Sequence, residues 1–502
     1  MKSRMNFKKY LIISFCVLAA CVIISVLFKY PQPGVADQGD FDRVMGASGL
    51  VLPDQNKNNP DFQRFFNYTV TDYTIKPYTF IGFGITLFST SMGYLITAIG
   101  FLCRILGSDT FKTGYLAAAY AVLYTFALAV IIKNLNSKNK LLMIMLSLLC
   151  LFVFFDGNYL VWFNSLYGEP MMLTTLLLYI SSLVYYQYHR YVVKSGEKEF
   201  RRIVFTFIAA IFFMGSKMQV ITALPVIILM QVKIFRENRE LLNRRQFRTL
   251  IILSFVLVLY PMELHIVNGA INKDIEYNSV FYGILKDSKN PRQDLIDMGL
   301  NPDMAVEAGK HSYLDPKEYT KYAPRTEITE KEFYSKMGSG KLVKFYITHP
   351  IRLIQGMEYT AEHAFFTGTS LGHFSREYSE KPVREFNRFT YWSELRGELL
   401  PKNLAFIAFV FLAVFAVSIY TYIKNRGFQE ARDKVYILWI VMFIGLIQFP
   451  MPFIGNGQAD TTKQLYLFNF VFDIMLVVSV CWCIDRLLKL VSSVGKRNLG
   501  NH

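Results

Sequence analysis

The chain has 502 residues, 53% of them apolar, 16% aromatic and only 18% charged. That leaves too little charge to coat soluble domains, so a disordered, fibrous or ordinary cytosolic protein is excluded and a polytopic membrane protein remains. The formal charge of +16 is then the load of cytoplasmic anchors in a membrane protein, not the footprint of nucleic acid, which is not expected as a partner.

The first apolar run, 10–28, follows Lys2, Arg4, Lys8 and Lys9. Although Gly34-Val35-Ala36 resembles a cleavage site, the run exceeds the roughly 7–15 residues of a signal-peptide core, and many spans follow. It therefore reads as an uncleaved span with a cytoplasmic N-terminus. Further spans are predicted near 113–132, 141–155, 171–188, 202–214, 217–233, 249–267, 403–423, 435–452 and 465–486, nearly free of charge at their centres. All six cysteines lie in apolar runs, so no disulfide-stapled unit or metal knuckle is available.

The stretch 79–105 decides the topology. If it crosses the bilayer, the basic clusters at 133–140, 194–202 and 236–248 face outside. If it does not, they join 424–434 and 496–497 in the cytoplasm, as the positive-inside rule requires. Ser89-Thr-Ser-Met-Gly93 interrupts its middle, which suits two interfacial helices or a shallow hairpin. The expected fold is thus an all-α polytopic membrane protein: a bundle of about ten transmembrane helices, both termini cytoplasmic, with outer juxtamembrane helices. A transmembrane module, 1–267, contains the outer loop 29–112. A mostly helical ectodomain, 268–402, precedes the last helices and basic tail, 403–502.

Polar groups gather where they are costly. Asp37, Asp40, Asp42 and Arg43 follow the first span, and Asp37 and Asp40 share a face once a helix begins. That pattern suits a base and its partner, a divalent cation, or simply a helix start. Glu169-Pro170 stands where the chain re-enters the bilayer, after Asn164-Ser-Leu-Tyr167. Lys217, in Ser216-Lys-Met-Gln219, and Lys463, in Asp460-Thr-Thr-Lys463, fall on the outer side; each is a phosphate holder or a snorkelling lysine. In the ectodomain, Arg352 and Gln355 share a helical face after Pro350. There is no HExxH, Walker loop or nucleophile elbow.

With these motifs the chain resembles the GT-C superfamily of integral-membrane glycosyltransferases, in architecture along most of its length. In the four acidic and basic motifs it resembles the bacterial cell-surface glycan hexosyltransferases (the WsfD-like group). The resemblance implies inverting transfer of a hexose from a polyprenyl-phosphate sugar donor to a cell-surface glycan acceptor on the extracytoplasmic side. A phosphate leaving group needs positive charge rather than an acid, which Arg43, Lys217 or Lys463 can supply. The acceptor hydroxyl needs a base, and Asp37 or Asp40 is the candidate. Glu169 matches a second acidic position that some members use for a metal. A divalent cation (Mg or Mn) held by Asp37, Asp40 and Glu169 is therefore left open, as no clear DxD occurs in the second loop. Asn164, Gln219, Asp460 and Arg352 are the further substrate-binding candidates. A lipid-linked glycan flippase and a glycan polymerase are the competing functions. The transferase reading requires Asp37, Glu169 and Lys217 to converge at one rim of the bilayer.

Overall fold

Lipid leaves a spanning backbone nothing to hydrogen-bond but itself, so long apolar runs become helices. The computed structural model describes residues 2–499 except 58, 60, 136, 138 and 195–198, so parts of two predicted basic clusters lie outside the described residues. Among the described residues, seven helices are long and apolar enough to cross a bilayer. They are Asn6–Phe28, Thr113–Asn134, Met218–Leu241, Arg244–Val267, Leu404–Lys424, Gln429–Asn456 and Tyr466–Val491.

The other three predicted spans are helical too, but of different kinds. Lys140–Phe154 is short and bends by 57° into Gly157–Asn164; the two together would make an eighth crossing. Glu199–Met214 has only 16 residues. Glu169–Tyr188 has 20 residues, about 30 Å of helix, but carries Thr174, Thr175, Ser181 and Gln187 on buried faces. Packed between Thr113–Asn134 and Glu199–Met214, it is sheltered from lipid, which lets it be more polar than its neighbours.

Residues 79–105 hold no helix long and apolar enough by itself to cross a bilayer. The stretch breaks into Phe80–Leu87 and Ser91–Ile105, because Thr79 and Thr90 each turn a hydroxyl onto the backbone N–H three residues on, from Gly82 and Gly93 respectively, starting a new helix each time. Lys8 Nζ donates to Lys133 O at 3.2 Å, so the chain leaves and returns to the same end of the bundle between the first span and Thr113–Asn134. Lys233 and Asp433, paired at 2.8 Å, and Arg190 and Glu237, at 3.3 Å, join that end. The Glu169–Tyr188 helix runs to the Lys8 end from the opposite one, where the first loop lies.

The first loop carries the one sheet among the described residues, a three-stranded antiparallel patch of Leu50–Val51, Asp72–Ile75 and Thr110–Lys112. It pairs Leu50 with Ile75 and Tyr73 with Phe111, tying the start of the loop to its end. A second apolar core forms around Tyr277, Phe281, Phe333 and Phe345 and takes Phe453 from the bundle.

The last span carries a fully buried charge within its length, a departure from spans nearly free of charge at their centres. Asp473, in the last span, meets Arg396 of the Tyr391–Leu399 helix at 2.5 Å, with both side chains fully buried. Tyr159 Oη and Trp392 Nε1 donate to the same carboxylate at 2.7 and 2.9 Å, and the guanidinium also donates to Phe365 O and Thr367 Oγ1. Three donors converge on Asp473 Oδ2, which makes the buried charge tolerable, while its Oδ1 is buried with no hydrogen-bond partner among the described residues.

Candidate functional site

At the end of the bundle opposite Lys8, four segments far apart in sequence meet. The chain leaves the first span, turns at Gly39 (φ +109°, a conformation that favours glycine) and enters the helix Phe41–Ser48. Asp37, 2% exposed, makes that turn: its Oδ1 accepts the N–H of Gly39 at 2.7 Å and of Phe41 at 3.2 Å. Its Oδ2 is buried without a hydrogen-bond partner, 3.8 Å from Arg64. Burial raises the Asp37 pKa above the ordinary carboxylate value; the two backbone N–H groups and Arg64 pull the other way without cancelling it.

Asp40 has a different environment. Lys463 Nζ bonds its Oδ2 at 2.5 Å and Arg43 lies 3.3 Å from its Oδ1. Burial opposes its charge, yet Lys463, Arg43 and the more distant Lys217 together hold its pKa at about 2. Lys463 stands over the Tyr167 ring, 4.5 Å from its centre. Beside this pair, Lys217 Nζ bonds Glu169 Oε1 at 2.5 Å, while Glu169 Oε2 is buried with no hydrogen-bond partner. Burial disfavours the Lys463 charge, but Asp40, Glu169 and Asp460 raise its pKa above the ordinary value. Asp460, itself at φ +52°, accepts from Gln38 Nε2 at 2.6 Å.

Asp37, Asp40, Arg43, Glu169, Lys217, Asp460 and Lys463 are thus gathered in one place. Asn164 and Gln219 stand behind them. Asn164 donates to Leu27 O at 3.0 Å and accepts from Gln32 at 3.1 Å, fixing the second loop to the end of the first span. Gln219 donates to Gln448 Oε1 at 3.0 Å and Gln464 O at 3.3 Å, holding the Lys463 turn in register. Arg352 is not part of the cluster: it pairs with Asp294 and donates to Ile284 O in the second core. Nor do the carboxylates form a cation cage. Asp37, Asp40 and Glu169 each face a different basic side chain, and among the described residues no three His, Cys, Asp or Glu could hold a metal ion.

Two residues join the site that sequence reasoning missed. Tyr167 Oη donates to Ala36 O at 2.9 Å and accepts the Gln38 N–H at 2.8 Å, placing its ring under Lys463. Its position inside Asn164-Ser-Leu-Tyr-Gly-Glu169 was the available signal. Arg64 bonds Asp42 at 2.8 Å as well as facing Asp37. It comes from a polar stretch with no periodicity, so nothing local marked it.

A family model described as the YfdI N-terminal transmembrane domain matches residues 1–500. Neither a curated protein nor a solved structure matches the chain.

Proposed function

The chain belongs to the YfdI N-terminal transmembrane domain family and is a membrane protein; from that premise we propose that it is an inverting glycosyltransferase. It moves a hexose from a polyprenyl-phosphate donor to a cell-surface glycan on the extracytoplasmic side, with both chain termini in the cytoplasm. The observation that carries this reading is the meeting of Asp37, Asp40, Glu169, Lys217 and Lys463 at one end of the bundle. A lipid-linked donor can only present its phosphate at such a rim.

In this reading Asp37 is the base. Its raised pKa and unpartnered Oδ2 suit it to take the proton of the acceptor hydroxyl as that oxygen attacks the anomeric carbon. The bond from that carbon to the phosphate oxygen breaks, and polyprenyl phosphate leaves with the electron pair. Lys217, Lys463 and Arg43 receive its charge. Asp40 and Glu169 hold the two lysines in place before the donor arrives, since a buried cation without a partner is costly. Asp40, held ionised by its cations, is a poor base and a good anchor. The carboxylates do not fit a divalent cation as they stand, so no step is routed through one.

The reading is tested by incubating the reconstituted protein with a panel of polyprenyl-phosphate hexoses and a glycan acceptor. One donor should lose its sugar with release of polyprenyl phosphate. If every donor in the panel stays intact, or a lipid-linked sugar crosses the bilayer unreacted, the transferase reading is rejected.

A further inference from the structure

Arg352, apart from the charged cluster, opens onto a cavity of its own. It is a shallow cleft of about 50 Å³, partly open to solvent, between the helix Pro350–Glu362, the segment around Gly283 and the turn after Phe453. Asp287, Arg352, Gln355, Gln458, Tyr359 and Phe453 are among its lining residues. We infer that this cavity binds one sugar ring of the neutral acceptor glycan, beside the charged cluster. This rests on the transferase reading for its purpose but not for its chemistry.

The wall of the cavity is fixed. Gly457 adopts φ +59°, and a Cβ there would lie 2.4 Å from Asn278 O and 2.6 Å from Gly283 N. Only glycine lets the two backbones meet, and Gln458 N–H then donates to Tyr282 O at 3.2 Å. Gly356 plays the same part opposite: a Cβ would fall 2.0 Å from the Phe453 ring, so the helix sits directly on that aromatic floor. The polar lining is mixed rather than of one sign. Gln458 Nε2 donates to Asp287, Arg352 is balanced by Asp294, and Gln355 has no hydrogen-bond partner among the described residues.

A phosphate would find Arg352 already neutralised and Asp287 repelling it. A neutral polyhydroxyl ring suits the set, because the acid, amides and guanidinium can each pair with a hydroxyl while Tyr359 and Phe453 face its C–H surface. Gln458 is two residues from Asp460, at most about 7 Å along the chain. A ring held here therefore lies next to the cluster that contains Asp37.

The test uses the full chain in nanodiscs with no donor present, and saturation-transfer NMR with a panel of methyl hexosides. At least one hexoside should bind. Asp287→Ala and Gln355→Ala, both at exposed positions, should each weaken that binding by about tenfold, the effect of one lost hydrogen bond. In a separate measurement with donor added, both variants should still bind the polyprenyl-phosphate hexose as the wild type does. No saturation transfer from the wild type to any hexoside, or unchanged binding in both variants, overturns the assignment. Because no donor is present, failure here is separate from failure of the transferase reading, which would show as a donor left intact.

Discussion

Asp37 and Asp40 are three residues apart and both acidic, yet their surroundings set them different tasks. Asp37 is buried with one oxygen unengaged, while Asp40 is bonded by Lys463 and approached by Arg43. Replacing Asp37 by Asn should lower sugar transfer by about 10²–10⁴-fold without changing insertion or folding, the usual loss for a general base. Asp40→Asn should cost less in turnover and more in donor affinity, because it strands Lys463. The pH profile should separate them. Burial raises the Asp37 pKa, and the base works only when ionised. The acid limb of kcat/KM should therefore lie above about 3.9, the free carboxylate value, while Asp40 at about 2 contributes nothing in the working range. An acid limb at or below the free value would remove Asp37 as the base. Lys217→Met should raise the donor KM and leave acceptor binding unchanged; an unaltered donor KM would reject its phosphate role. Sequence reasoning reached these side chains because acids and lone lysines beside apolar runs stand out. It could not reach Arg64, whose pairing with Asp37 and Asp42 is a matter of tertiary contact alone.

Among the elements, the Tyr391–Leu399 helix is locked to the last span by the Arg396–Asp473 pair. Removing one partner leaves the other charge buried, so Arg396→Met or Asp473→Leu alone should destabilise the protein by about 3–5 kcal/mol. Thermal unfolding in detergent measures this, and the double variant should recover part of the loss. Equal unfolding temperatures for the wild type and both single variants would show that the lock is not stabilising. Sequence alone did not find this pair. Asp473 falls within an apolar run whose average hides it, and Arg396 lies in a segment with no period pointing to the bundle. The break at 79–105 was legible by contrast, because Ser and Thr caps and a glycine sit in the middle of the run itself. The three shorter helices were legible as helices but not as different in kind. Shelter by neighbours, which permits the polar Glu169–Tyr188 helix, is not written in its own residues.

For the whole molecule, the geometry sets Lys8, Lys133, Lys233 and Asp433 at one end and the charged cluster at the other. From the charge asymmetry we propose that the first end is cytoplasmic. In a cysteine-free background, an impermeant maleimide applied to intact cells should label Glu377→Cys, on the side of the cluster, and not Arg426→Cys. The reverse pattern would turn the site toward the cytoplasm and contradict an extracytoplasmic acceptor. The most direct test of the central claim is a single-turnover assay with a polyprenyl-phosphate hexose, comparing the wild type with Asp37→Asn at saturating donor. The wild type should transfer the sugar with inversion and release polyprenyl phosphate, while the variant binds donor equally well and transfers none within the same time. Equal transfer by both proteins would contradict the account.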